Sequence, residues 1–272
     1  MATGMQETGV FTKIGGEWGM SEEVLVSAAD GILEVTINRP EARNAMTQIA
    51  SDAIAEAMDR LDAEPDLRVA ILTGTGGNFC SGMDLKGFLK GERPRAGDRG
   101  FGGLTAWTPK KPIIAAIDGY ALAGGLELAL ACDLLVANRQ AKFGIPEVKR
   151  GLAAAGGGMI QLPRFIPRML AMELALTGEL ITAERAHELG LINQLTDGPS
   201  IEGARDLARR IAANGPLAVI ASKAVIRDSW LWPDAEIRQR QAAYVAQVFD
   251  SEDAKEGARA FAEKRKPVWR GI

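Results

Sequence analysis

Residues 113–133 read IIAAIDGYALAGGLELALACD, and the fold hangs on how they are parsed. A β-rich apolar run, 113–117, meets the turn dipeptide Asp118-Gly119. After a short linker, Gly124-Gly125 opens an Ala/Leu-rich run that carries a single acid, Glu127. The pattern is strand, loop, then a helix whose start faces a cavity. Glycines let backbone approach a ligand closely, and the first N–H groups of a helix have no intrahelical partner, so they can stabilise negative charge. An acid one turn into so apolar a helix is costly if buried unpaired. Oxyanion holes are built this way; so are phosphate sites and plain close-packed turns, and the stretch alone leaves all three open.

The 272 residues suffice for one large domain or two ordinary ones. A net charge of −3 with 25% charged residues, and no acidic or basic tail, gives no sign of a nucleic-acid or membrane partner. Cys80 and Cys132 are the only cysteines, too few for a disulfide framework. With no signal peptide or long apolar span, the expected compartment is a reducing cytoplasm. His187 is the only histidine, which excludes a multi-histidine metal site. It lies on a helix capped by Thr182 and reads as structural, and the cysteines, in small or apolar surroundings, read as small hydrophobes.

Residues 1–20 hold five glycines and little periodicity and read as a mobile tail. Residues 24–26 and 33–37 flank Asp30-Gly31 as a β-hairpin. From Asn44, apolar residues at Met46, Ile49, Ala53, Ile54, Ala57, Met58 and Leu61 recur at helical spacing. Residues 69–72 form a strand that runs into Gly74, Gly76 and Gly77, and 79–85 again place glycine and small residues after a strand and before a helix. The polar, glycine-rich 87–111 read as a flexible surface segment with a short helix near Phe88. Residues 133–137 give a further strand and 151–158 a tight glycine loop entering a helix. From Arg168 onward the pattern is helical throughout. Strands alternating with helices, followed by helices alone, predict an α/β core with a helical C-terminal subdomain.

Taken together, Asn38-Arg39-Pro40 with Arg43-Asn44-Ala45, then 79–85, 118–133, 143–147 and 261–265 resemble the enoyl-CoA hydratase/isomerase (crotonase) superfamily in order and spacing. The resemblance implies a spiral of repeated ββα units, with 21–213 as the α/β core and 214–272 as a helical region for oligomerisation, in a homotrimer or dimer of trimers. It implies that the backbone N–H groups of Met83 and Gly124 form an oxyanion hole around a thioester carbonyl. Glu127 and Glu147 stand where hydratases hold two catalytic glutamates. The CoA moiety would lie along Arg43, Ala45, Ser81, Met83, Leu85 and Lys86, with Phe261 and Lys264 at its nucleotide end. The implied reaction is hydration of 2-enoyl-CoA to 3-hydroxyacyl-CoA, with no metal or redox cofactor and with CoA as part of the substrate. Isomerisation, acyl-CoA dehydration and a non-catalytic CoA-binding role are the alternatives. Residues 152–159, LAAAGGGM, and the bulk of Met83 depart from the commonest hydratase pattern and bear on acyl specificity. Without the resemblance, Glu127 and Glu147 would read equally as surface acids, and the basic run at 264–266 as a solvated end.

Overall fold

The computed structural model describes residues 12–14, 17–19 and 21–272. Most of the expected N-terminal tail therefore lies outside the described residues. Within it, β1 (Thr12–Ile14) and β2 (Glu17–Gly19) pair antiparallel.

The hairpin forms as expected, from β3 (Val24–Ala29) and β4 (Ile32–Ile37), with Val24 opposite Ile37 and Ala29 opposite Ile32. Asp30 and Gly31 turn the chain with φ of 52° and 78°, the pair of positive values that a tight two-residue turn demands. Helix α1 (Gln48–Ala63) follows, capped by the Thr47 side chain, which accepts from Ala50 N–H. Its apolar stripe, Ala50, Ala53, Ile54, Ala57, Met58 and Leu61, is buried, whereas Ile49 is exposed. Next come β5 (Val69–Gly74), α2 (Leu85–Leu89), β6 (Ile113–Ile117), β7 (Tyr120–Leu122), α3 (Gly124–Leu130), β8 (Leu134–Asn138) and β9 (Lys142–Gly144). The rest comprises α4 (Gly158–Phe165), α5 (Arg168–Thr177), β10 (Ile181–Thr182), α6 (Ala183–Glu188), β11 (Gln194–Thr196), α7 (Ser200–Ala212), α8 (Pro216–Asp228), α9 (Ile237–Phe249) and α10 (Glu252–Ala262).

The main sheet has strand order β11-β8-β6-β5-β4-β3 and is parallel apart from the β3/β4 hairpin. Its central strands are apolar without alternation because both faces are covered. Along β6, Ile113, Ala115 and Ile117 join the large core beneath α1 and α3, while Ile114 and Ala116 pack with Val69, Ile71, Ala204 and Ala208 under α7. A second layer is ordered β10-β9-β7 and is extended by single bridges from Ala121 to Cys80 and from Met83 to Met46. Each circuit of the chain thus lays down a strand in the main sheet, then a short strand or bridge in the second layer, then a helix. This is the expected ββα spiral.

Three sequence expectations need correcting. Residues 120–122 are a strand rather than a linker, and 142–144, for which no element is expected, are another; at three residues each they are too short to show a period. After Arg168 the chain is not purely helical, because β10 and β11 return to the two sheets. Residues 87–111 are not a loose surface segment. Leu104 is fully buried, and a methyl on Gly103 would lie 2.4 Å from Ser51 O, so this glycine lets the segment dock on α1.

The loop between β4 and α1 is locked by one side chain. Asn44 is fully buried; its amide donates to Thr75 O at 2.9 Å and Asn78 O at 2.6 Å, and its oxygen accepts from Arg39 N–H at 2.9 Å. Its φ of 55° is a conformation that asparagine tolerates better than alanine. Asn44→Ala leaves three backbone groups unpaired and is expected to cost on the order of 3–5 kcal/mol. Urea unfolding checks this, and a loss below about 1 kcal/mol would show that the lock is dispensable.

Candidate active site

The site begins where two turns touch. Gly82, with φ of 102°, sits so close to the start of α3 that a methyl on it would lie 3.0 Å from Ala123 Cβ and 3.4 Å from Gly124 N. A methyl on Gly125 would lie 2.1 Å from Cys80 O, inside any allowed contact. Glycine at both places lets the 80–82 backbone press against the first turn of α3.

The contact sets two amides side by side. Met46 N–H donates to Gly82 O, and Asp84 N–H donates to Met46 O, so in this parallel bridge the N–H of Met83 faces away from Met46. Gly124 is the first residue of α3 and has no intrahelical acceptor for its N–H. Among the described residues neither N–H has a protein acceptor, and Met83 and Gly124 line the same cavity of about 1100 Å³. The residue before the helix, Ala123, takes φ 53° and ψ −128°, a conformation natural to glycine that costs a side-chain-bearing residue about 1–3 kcal/mol. Two unpaired donors at a helix start, with such strain beside them, are suited to stabilising charge that develops on an oxygen.

Glu127 and Glu147 line that cavity too. Glu127 is one turn into α3 and almost wholly buried, which answers the question the sequence left open: it is not a surface acid. Its Oε1 accepts from Gly158 N–H at 2.8 Å. Burial pushes its carboxyl above the ordinary glutamate value, opposed by the backbone N–H groups of Gly158 and Gly156. Glu147 lies on the 3₁₀ turn Pro146–Arg150, with one carboxyl oxygen buried and without a hydrogen-bond partner. Burial, helped by the nearby charge of Glu127, raises its carboxyl from 4.5 to about 7.

Two glycines clamp Glu127. A methyl on Gly156 would lie 2.5 Å from Glu127 Oε2, and one on Gly158 would lie 3.0 Å from its Cγ. The 152–159 loop, read only as a change in the cavity wall, therefore also positions a carboxylate. The partners are about thirty residues apart, so no local pattern could reveal it.

Arg43, Ala45, Ser81, Met83, Leu85 and Lys86 all line the cavity, as expected of one binding surface. Asp84 organises this end: its carboxylate caps α2 through Lys86 N–H at 2.9 Å and pairs with Arg39 at 3.1 Å. Phe261 and Lys264 are not among the lining residues; Phe261, on α10, is 88% exposed. The segment 93–106, part of the 87–111 stretch expected to bear on the acyl group but with no residue singled out, belongs to the site. It contributes Arg93, Pro94, Arg95, Gly100, Phe101, Thr105 and Ala106 to the wall, and the Phe101 ring lies against Gly124 where a Cβ would be. Among the described residues no cluster of three or more His, Cys, Asp or Glu could hold a metal ion.

A two-layered ββα spiral with paired glycine turns over a carboxyl-bearing cavity is the architecture of the crotonase-type enzymes. The sequence profile of the enoyl-CoA hydratase/isomerase family matches residues 27–271, and the chain belongs to that family. It is similar to an enoyl-CoA hydratase from Mycobacterium tuberculosis H37Rv, at 55% identity and a TM-score of 0.91, covering 93% of this chain and 100% of that one. A carnitinyl-CoA dehydratase from Salmonella typhi is 42% identical over 261 residues, again covering 93% of this chain and 100% of the relative. A carnitinyl-CoA hydratase from Mycobacterium avium is 42% identical with a TM-score of 0.74, at 93% and 100% coverage. The protein is an enzyme of the hydro-lyase type that these relatives share.

Gly156→Ala puts a methyl where the Glu127 carboxylate sits. Turnover of an acyl-CoA substrate is expected to fall by about tenfold or more, while the protein still melts cooperatively. Turnover equal to wild type would show that the clamp does not position the acid.

Proposed function

We propose that the enzyme adds water across the double bond of 2-enoyl-CoA thioesters to give 3-hydroxyacyl-CoA. The observation that carries this reading is the convergence on one cavity of two unpaired backbone N–H groups and two carboxyls with raised proton affinity. In this reading the thioester oxygen is held by the N–H groups of Met83 and Gly124. As water attacks the β-carbon, negative charge moves onto that oxygen, and the two donors stabilise it without reorganising. Each such donor is worth about 2.7–4 kcal/mol of barrier.

The glutamates divide the proton work. Ionised Glu127 holds the water and takes its proton while the oxygen bonds to the β-carbon, and protonated Glu147 delivers a proton to the α-carbon; both carboxyls can touch the same water. Proton transfer of this kind contributes about 10²–10⁴ in rate. The groups suit these roles because burial and mutual repulsion keep one proton on the pair near neutrality. Charge is handled throughout by amides and carboxyls, so the mechanism calls for no metal or redox group, and CoA enters as part of the substrate. The binding surface for CoA is the 43–45 and 81–86 wall.

Run backwards, the same steps dehydrate a 3-hydroxyacyl-CoA, the direction in the name of the Salmonella relatives. A carnitinyl group ends in a quaternary ammonium, and the cavity offers it little: the Phe88 ring already carries the Arg93 guanidinium at 4.2 Å. The same reading places the enzyme in the cytoplasm as a homotrimer or dimer of trimers. Exposed apolar side chains on α5, such as Met169, Met172 and Leu176, fit such an assembly. No helix among the described residues is long and apolar enough to cross a membrane.

A panel of enoyl-CoA thioesters, followed by loss of the conjugated thioester absorbance and by product mass, tests the reaction. Hydration adds the mass of water; an unchanged mass with a moved double bond would replace hydration by isomerisation. Glu127→Gln and Glu147→Gln are each expected to lower kcat by about 10²-fold or more while acyl-CoA still binds. A protein serving only as a CoA-binding scaffold would show no turnover for either variant to lose.

The pH profile follows from the proton count. The active form carries one proton on the pair in both directions, so hydration and dehydration share one bell-shaped curve. As pH rises through about 7, Glu147 loses the proton it must deliver, and kcat/KM falls. A profile flat from pH 6 to pH 9 would remove Glu147 as the acid.

A further inference from the structure

Beyond the reacting centre, the cavity wall is electropositive. Arg95 lies in a backbone bridge with Phe101, the residue whose ring covers Gly124, and lines the same cavity. Arg150 ends the 3₁₀ turn that carries Glu147 and is near enough to favour that group's ionised form. Both arginines line the cavity, and among the described residues neither guanidinium has a hydrogen-bond or ion-pair partner. An exposed arginine is ordinarily just solvated. Two that converge on one substrate cavity from different elements, with neither guanidinium hydrogen-bonded or ion-paired, call for another account.

The acids of the cavity do not offset them. Apart from Glu127 and Glu147, the lining acids are Glu41 and Asp84, both on the 39–45 and 81–86 wall, and Asp84 is held by Arg39. Of the two aromatic rings among the described lining residues, Phe88 carries Arg93 at 4.2 Å and Phe101 lies against Gly124.

We propose that the acyl group carries a carboxylate at its far end, and that Arg95 and Arg150, which line the cavity, recognise it. The substrate class is then the mono-CoA thioester of an unsaturated dicarboxylic acid. This rests on the acyl-CoA reading above and narrows it. Guanidinium suits the task, since its planar fork of donors matches a carboxylate and it stays charged at every working pH. A chain with a positive end would meet repulsion at the same place, which is how such a site discriminates.

Calorimetry of the full-length protein with adipoyl-CoA, which has one free carboxylate, and hexanoyl-CoA, its neutral counterpart, tests the proposal. Both are saturated, so binding is read without turnover. Adipoyl-CoA is expected to bind about tenfold tighter or better at low salt, with an advantage that shrinks as salt is added. Arg95→Gln and Arg150→Gln should each reduce the ratio of the two affinities; both positions are exposed, so the variants should fold. Equal affinities in wild type would overturn the proposal. So would variants that weaken both thioesters by the same factor, for the guanidiniums would then be serving the phosphates of CoA. Hydration of 2-hexenoyl-CoA, assayed in parallel, separates this inference from the reaction. Hydration without a carboxylate preference sinks only the inference, and a carboxylate preference without hydration of any enoyl-CoA sinks only the reaction.

Discussion

The backbone from Cys80 to Gly82 lies against the first turn of α3 at a separation that a single added methyl would abolish. Much else in the molecule serves that contact. The parallel strands β5 and β6 end beside each other and deliver the two turns to the same edge. The bridges of the second layer, Met46 to Met83 and Cys80 to Ala121, fix which N–H groups are consumed and which remain. Asn44 ties the preceding loop to the same region. Close packing of backbone on backbone leaves donors that are held rigidly and are not already satisfied, which is the condition for stabilising charge only as it appears.

The same apolar surroundings set the behaviour of the acids. Leu126, Leu128, Ala129 and Leu130 bury α3 on all sides, and Glu127 is tolerated among them because Gly158 and Gly156 bring backbone N–H groups to its carboxylate. Glu147 has no such compensation for its buried oxygen and so holds its proton to about 7. One carboxyl held by two backbone donors of another loop and one with a buried oxygen left unpaired is a division of labour produced by environment, since the two side chains are chemically identical.

Much of this was legible in the sequence, and the reason is local. Strand-turn-glycine-helix patterns at 79–85 and 113–133 place donors and acid within a few residues, so the paired turns and Glu127 can be found by reading along the chain. The ββα order, α1 with its apolar stripe and the cap at Thr182 are local in the same sense. What escaped depends on distant contacts. Strands of three residues have no period, the glycines at 100–103 have meaning only against α1 and α3, and the clamp on Glu127 joins parts of the chain that no spacing rule connects. Phe261 and Lys264 mark the opposite limit, where a motif was readable but its residues stand outside the cavity lining.

The central claim is that the amides of residues 83 and 124 grip and polarise a thioester oxygen. Raman difference spectroscopy of an enoyl-CoA bound to the Glu147→Gln protein reads that grip at the carbonyl itself. The account predicts a carbonyl stretch at lower wavenumber than the same thioester shows in water. A stretch unchanged or higher on binding would contradict it, whatever the enzyme's activity.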